Sequence, residues 1–214
     1  MTQDDIRDRV PSGAMPRRSA LTWTMTMLRD LAAWLARKPV AHPGVHRAIR
    51  HSADSRTIIW SITAADLVAS VVVDAMVPAA YRPLHLAWVV VSVVMTVGFC
   101  AMTVRTPHLI DDHTLYLRTG PFRALAIPLH QIQTVRAAHG MTPSHGLRRP
   151  LDEDDAVACS VSSATTMALE LAEPLPVQFR KGGPTLARRV YFTADRPAEA
   201  AEVIRGARRG EARP

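Results

Sequence analysis

Two aspartates lie where an aspartate is costly. Asp66 and Asp74 interrupt an apolar run from Thr57 to Ala80 that is otherwise rich in Ile, Leu and Val. A carboxylate in an apolar setting can bind a cation, meet a basic group of a partner, or hold helices together by hydrogen bonding. At ~100° per residue, Thr63, Asp66, Ser70 and Asp74 fall within about 80° of one another on a helix. On the next apolar run His85, Ser92, Thr96 and Thr103 fall within about 40° by the same geometry. In a hairpin turning near Arg82, Asp74 reaches the depth of Ser92 and Asp66 that of Thr96. The stripe Thr63, Asp66, Ser70, Asp74, Ser92 and Thr96 is therefore the leading candidate site, either as structural glue or as a contact for a cation or a partner's basic residue.

The other polar groupings are weaker. Ser160–Thr166 (SVSSATT) is rich in hydroxyls but has no G-x-S-x-G context for a nucleophile. The KGGPT segment at Lys181 lacks the order of a phosphate loop and reads as a hairpin turn. Asp152–Asp155 (DEDD) offers oxygens without the alternating spacing and glycine of a calcium loop, so it reads as a solvated acidic loop. His42, His46 and His51 are close in sequence, yet Pro43 and Gly44 break the helix that would align them, which leaves a basic linker. Cys100 and Cys159 fall in different parts of the chain and read as packing residues. No pattern calls for a metal or a cofactor, and none supports catalysis.

The element that must carry the acidic stripe is a helical hairpin, with Tyr81, Arg82 and Pro83 between two spans, 57–80 and 84–104. The second span has no Asp, Glu, Lys or Arg, and at ~1.5 Å per residue it is about 31 Å long, the thickness of a bilayer's hydrocarbon core. The first is marginal alone. Nine Ile, Leu and Val residues return roughly 3–5 kcal/mol on an insertion scale, and a central Asp costs about 2.5–3.5. It is expected to insert as half of the hairpin.

Arg37, Lys38, Arg47, Arg50 and Arg56 precede the hairpin, Arg105, Arg118 and Arg123 follow it, and Arg82 stands alone at the turn. The positive-inside rule then puts both termini in the cytoplasm of a multi-pass protein of the cell membrane. The chain of 214 residues is 48% hydrophobic with a net charge of +7. Attraction to anionic lipid headgroups accounts for that charge without nucleic acid. The apolar segment around Leu21–Leu35, broken by Arg29 and Asp30, does not read as a cleavable signal peptide.

Five segments follow. Residues 1–18 are polar and aperiodic and are expected to be disordered. Residues 19–56 form a basic juxtamembrane segment. Within it Leu21, Met25, Leu28, Leu31, Trp34 and Leu35 recur at helical spacing, fitting a helix in the membrane interface or one packed on the soluble domain. The hairpin spans 57–104, a domain covers 105–209, and 210–214 is a tail. In the domain the period changes to two. Strands are expected near 115–119, 123–128, 132–138, 156–161, 165–172, 175–181 and 187–194, then a helix over 196–209 capped by Asp195.

Seven short antiparallel strands and a C-terminal helix make the order of a small pleckstrin-homology (PH) barrel. The stretch TLYLRTGPFRALAIPLHQIQTVRA, with TTMALELAEPLPV and VYFTADRPAEAAEVI after it, resembles bacterial PH domains that follow membrane hairpins. Ile127, Pro128, Ile132 and Val135 match their I-P-x-x-x-I-x-x-V step, and Asp195–Arg196–Pro197 their entry to the last helix. The resemblance covers roughly Thr57 to Arg209. It implies a membrane α-helical hairpin plus an α+β PH-like domain, and no catalytic residue.

The expected function is thus a non-enzymatic membrane module whose PH-like domain engages a protein partner, or a second copy, at the inner face. Two other readings stay open. One is an ion- or proton-handling subunit using Asp66 and Asp74. The other is an anionic-lipid sensor using Arg180, Lys181, Arg188 and Arg189 on a basic hairpin.

Overall fold

A computed structural model of the chain describes residues 20–38, 47–119, 124–142, 145–150, 153–179 and 183–210. The expectations for 1–18, for His42 and His46, for Arg180 and Lys181 and for 211–214 lie outside them. The described residues form two compact units, a helical one of 20–38 and 53–105 and an α/β one of 47–52 and 106–210.

The helical unit contains α1 (Ala20–Leu35), α2 (Ala53–Met76) and α3 (Arg82–Val104), with a single 3-10 turn at Ala79–Tyr81. Helix α2 ends before Pro78, whose ring disfavours helical geometry in the residue ahead of it. It therefore starts and stops four residues earlier than the expected span. Arg82 donates from Nε to the Val77 carbonyl at 3.2 Å, closing the turn. Both α2 and the stretch Ala79–Val104 are long and apolar enough to cross a membrane.

Helix α1 packs against α3. Met27 is fully buried, and it packs where α3 has Gly98; a Cβ there would stand 2.9 Å from the Met27 Cγ. Asp30 pairs with Arg105 at 3.7 Å, and Arg105 also donates to the Lys38 carbonyl at 2.8 Å. The one glycine of the second apolar run is what lets a third helix approach.

The α/β unit has two sheets and a C-terminal helix. One sheet is antiparallel, β1 (Arg47–Ile49), β2 (His108–Ile110), β3 (Thr114–Arg118) and β4 (Ala124–Pro128), in that order. The other contains β5 (Ile132–Met141), β6 (Gly146–Arg148), β7 (Ala156–Ser160), β8 (Ala164–Val177) and β9 (Thr185–Phe192), ordered β5-β8-β9-β7-β6. β7 and β9 are parallel, and the other pairs are antiparallel. This is an α+β arrangement of nine described strands in two sheets without closure, where seven antiparallel strands in a barrel were expected. The surplus comes from three-residue strands, β1, β2 and β6, too short to show a period of two. In the opposite direction, the expected turn at Glu173–Pro174 is a bulge inside one long β8, where a proline costs no ladder hydrogen bond.

One apolar core joins both sheets to the helix. Leu115, Leu117 and Ile127 from the first meet Met167, Leu169 and Phe192 from the second. Helix α4 (Pro197–Arg208) adds Ala200, Ala201 and Ile204. Its N-cap residue is Arg196, with Pro197 at the first helical position and no side-chain cap, so the expected cap lies one residue away. From its last turns Arg205 donates to the Val135 carbonyl at 2.9 Å, and Arg208 to those of Ile132 and Gln133 at 2.9 and 2.7 Å. These bonds occupy carbonyls of edge strand β5 that would otherwise invite pairing.

Candidate functional site

The helical unit is apolar outside and polar in one groove. Val68, Val71, Met76, Leu84 and Trp88 are 69–80% exposed, whereas Phe192 and Leu115 of the α/β unit are 0% exposed. Between α2 and α3 runs a cleft of about 360 Å3. Thr63, Asp66 and Ser70 line it from α2, with His85, Ser92 and Thr96 from α3. Leu67, Ala69, Val73, Trp88, Val89 and Val93 supply its apolar wall. Five of the six residues of the expected stripe thus border one space, and Asp74 is not among its lining residues.

Their pairing in depth differs from the expectation. Asp74 Oδ1 lies 3.1 Å from His85 Nδ1, not at the level of Ser92. The turn centres on 78–81 instead of Arg82, so α3 begins earlier and slides by about two turns relative to α2. His85 is largely buried and Asp74 less so, with side chains 18% and 43% exposed. One carboxylate therefore has a ring nitrogen as partner, at the turn end of the cleft.

Asp66 is placed differently. It lies within two residues of the middle of α2 and is exposed in the groove, with no hydrogen bond or ion pair among the described residues. Two of the four hydroxyls lining the cleft are committed elsewhere. Thr63 donates to the Ile59 carbonyl at 2.8 Å and Thr96 to that of Ser92 at 2.9 Å, in the i−4 manner usual for helices. What they turn to the groove is an acceptor oxygen. Ser70 and Ser92 add hydroxyls that can donate or accept, but no Lys or Arg lines the cleft.

In the α/β unit the basic hairpin offers less than its sequence suggested. Arg189 reaches Glu153 at 3.1 Å and Asp155 at 2.8 Å, and its pKa is raised first by the Asp155 hydrogen bond. Tyr191 donates to the same Glu153 at 2.9 Å. The acidic loop is thus pinned onto β9, and Arg188 alone of the named four is described and exposed. Among the described residues, no group of three or more His, Cys, Asp or Glu could hold a metal ion.

The serine-rich segment is a staple. The Ser160 hydroxyl reaches the carbonyls of Ser162 and Ala164, and Thr193 donates to the Ala164 carbonyl at 2.6 Å, tying the turn to the end of β9. Burial pushes the Cys159 thiol up to about 12, which keeps it protonated and inert.

Sequence reasoning missed one polar feature. His51 and His108 are buried and stack with ring centroids 4.0 Å apart. His108 Nε2 donates to the Thr193 carbonyl at 2.9 Å, and Nδ1 accepts from the Arg118 amide at 2.9 Å, which fixes a neutral ring. Burial, then the neighbouring His51, holds its pKa well below the usual imidazole range. Nothing in the local pattern HRAIRHS marks His51 as the partner of a residue beyond the hairpin.

Compared with protein-family models, with curated proteins and with solved structures, the chain matches none.

Proposed function

We propose that the chain is a non-enzymatic integral membrane protein, with both termini cytoplasmic, whose α/β unit is a PH-like interaction or scaffold domain at the inner face of the membrane. The observation that carries this reading is the inverted exposure of the helical unit. Large apolar side chains cover its outside, and a soluble protein rarely leaves so wide an apolar surface bare. Basic residues Lys38, Arg56 and Arg105 gather at one end and Arg82 stands alone at the other, as the positive-inside rule requires. Support for the PH-like reading comes from the residue pattern, from the burial of Ile127, Ile132 and Val135 in the common core, and from the C-terminal helix packed on β5. The unclosed sheets and the parallel β7–β9 pair are departures from that pattern.

Reporter fusions test the topology. A fusion at residue 40 and one at the C-terminus are expected to be active in the cytoplasm, and one at Arg82 on the outside. A C-terminal fusion active outside sinks the reading. A photocrosslinker at exposed Arg188 is expected to yield one dominant protein adduct in cells, and lipid adducts alone would favour lipid sensing.

An ion- or proton-handling subunit is the second reading, favoured by Asp66 alone, since Asp74 has His85. Lipid sensing is weaker, because Arg189 is engaged by Glu153 and Asp155.

A further inference from the structure

The two aspartates of α2 have different work. From the cleft we infer that Asp66 is a docking point for a transmembrane helix of another protein, one that carries a Lys or Arg near the middle of the bilayer. The inference rests on the membrane reading above.

Several observations converge on that occupant. Asp66 lies within about 2 Å of the midpoint of Ala53–Met76 at ~1.5 Å per residue, where a carboxylate facing lipid is most costly. Its own hairpin offers it hydroxyls at Ser70 and Ser92 but no free cation. Thr63 and Thr96 give their protons to backbone carbonyls, and His85, the only ionisable donor lining the cleft, is 3.1 Å from Asp74.

A second copy of the chain cannot supply the charge either. Neither helix carries a Lys or Arg between Arg56 and Arg82, or after Arg82 before Arg105. Along α2, Arg56 is about 15 Å from the level of Asp66 at ~1.5 Å per residue, and the turn bearing Arg82 is as far the other way. Arg29 of α1 adjoins Asp30, which reaches Arg105 at the far end of α3.

The walls suit a cation on an apolar stem. Trp88 places an indole ring beside a guanidinium or ammonium, and Leu67 and Val89 offer apolar surface to its methylenes. Ala69, Ser70 and Ser92 are small enough for a neighbouring backbone to come close. The cleft's volume of about 360 Å3 has room for such a side chain. A carboxylate with no partner, two threonine oxygens left as acceptors and a tryptophan in the wall favour the same charge.

The test uses the full chain in lipid nanodiscs and a synthetic Leu/Ala transmembrane peptide with one central Lys, followed by energy transfer between labels. The Lys peptide is expected to bind about tenfold more tightly than the all-apolar peptide, the order expected of a charge-assisted contact. A peptide with a central Glu should not bind better than the apolar one. Asp66→Asn should erase the preference for Lys, while Asp74→Asn should keep it. Co-flotation with liposomes separates the two possible failures. A chain that does not float with lipid takes the membrane reading down and this inference with it. A chain that floats but binds Lys and apolar peptides equally overturns the docking alone. Self-association that depends on Asp66, without preference for the Lys peptide, also overturns it and gives the cleft to a second copy.

Discussion

The helical and α/β units solve burial in opposite senses. In the α/β unit, Leu115, Leu117, Ile127 and Phe192 are fully buried, and charged side chains such as Glu153, Arg189 and Arg208 stand at the surface bridging strands and helix. In the helical unit, Val68 and Val71 are exposed, while Asp66 and His85 line a groove and Asp74 meets His85 at its end. On the proposed membrane reading, the difference teaches that one chain is built for two solvents. Hydrophobic burial drives the first unit, while packing at Gly98 and the Asp74–His85 contact help hold the second.

The largest expected effect comes from emptying the α/β core. Phe192→Ala removes a fully buried ring and is expected to cost about 3–5 kcal/mol. The measurement is the denaturant midpoint read by alkylation of Cys159, which is buried in the same core. A shift below about 1 kcal/mol, the size of an ordinary surface change, would mean that the two sheets share no tight core.

Next in size is a charge on the outside of the helical unit. Val68 is 69% exposed, so in water Val68→Asp would be close to neutral, within about 0.5 kcal/mol. In a bilayer the same change costs roughly 2.5–3.5 kcal/mol, and α2, already marginal, should fail to insert. Alkaline extraction of membranes reads the outcome, and unchanged retention of the variant would break the contrast between the units.

Gly98→Val should have a smaller effect. A Cβ at Gly98 meets Met27 at 2.9 Å, so overpacking of about 1–3 kcal/mol is expected, and α1 should separate from α3. Crosslinking between cysteines placed on α1 and α3 should fall while insertion persists. Wild-type crosslinking efficiency in the variant would contradict the packing.

Smallest is a pH effect confined to the α/β unit. His108 stays neutral when folded because burial and His51 depress its pKa, whereas in the unfolded chain it titrates near ~6.5. Below that pH the unfolded state binds the extra proton and the folded state does not, so stability is kept at neutral pH and lost on acidification. The thermal midpoint by circular dichroism should fall between pH 7 and 5, with His51 and Arg118 opposing any charge on the ring. In His108→Gln the midpoint should be lower at pH 7 and its slope with pH shallower. An equal slope would assign the effect to other groups.

What the sequence made legible follows from the range of each signal. The facing stripes were readable because helical period is a local property, and 100° per residue places Asp66 and Ser70 on one side without tertiary knowledge. Their depth was not, since it depends on where the turn falls, and Pro78 shortened α2. That slip hid the Asp74–His85 contact. The packing of α1 rests on a glycine and a methionine far apart in sequence, and neither types nor spacing announced it. Strands β3, β4 and β9 showed alternation, while β1 and β2 pair across the whole hairpin and have three residues each. Pro174 was read as a turn because a bulge and a turn use the same residues.

The central claim is that the outer face of the helical unit meets lipid and the α/β unit meets the cytoplasm. Single cysteines in a background with Cys100 and Cys159 replaced by Ala test it directly, at Met141, which is 85% exposed at the end of β5, and at Val68. A membrane-impermeant maleimide should label Met141→Cys in inside-out vesicles and not in right-side-out ones, and Val68→Cys in neither. Labelling of Val68→Cys as fast as Met141→Cys would contradict the account, because an exposed valine that reacts from water is not facing a bilayer.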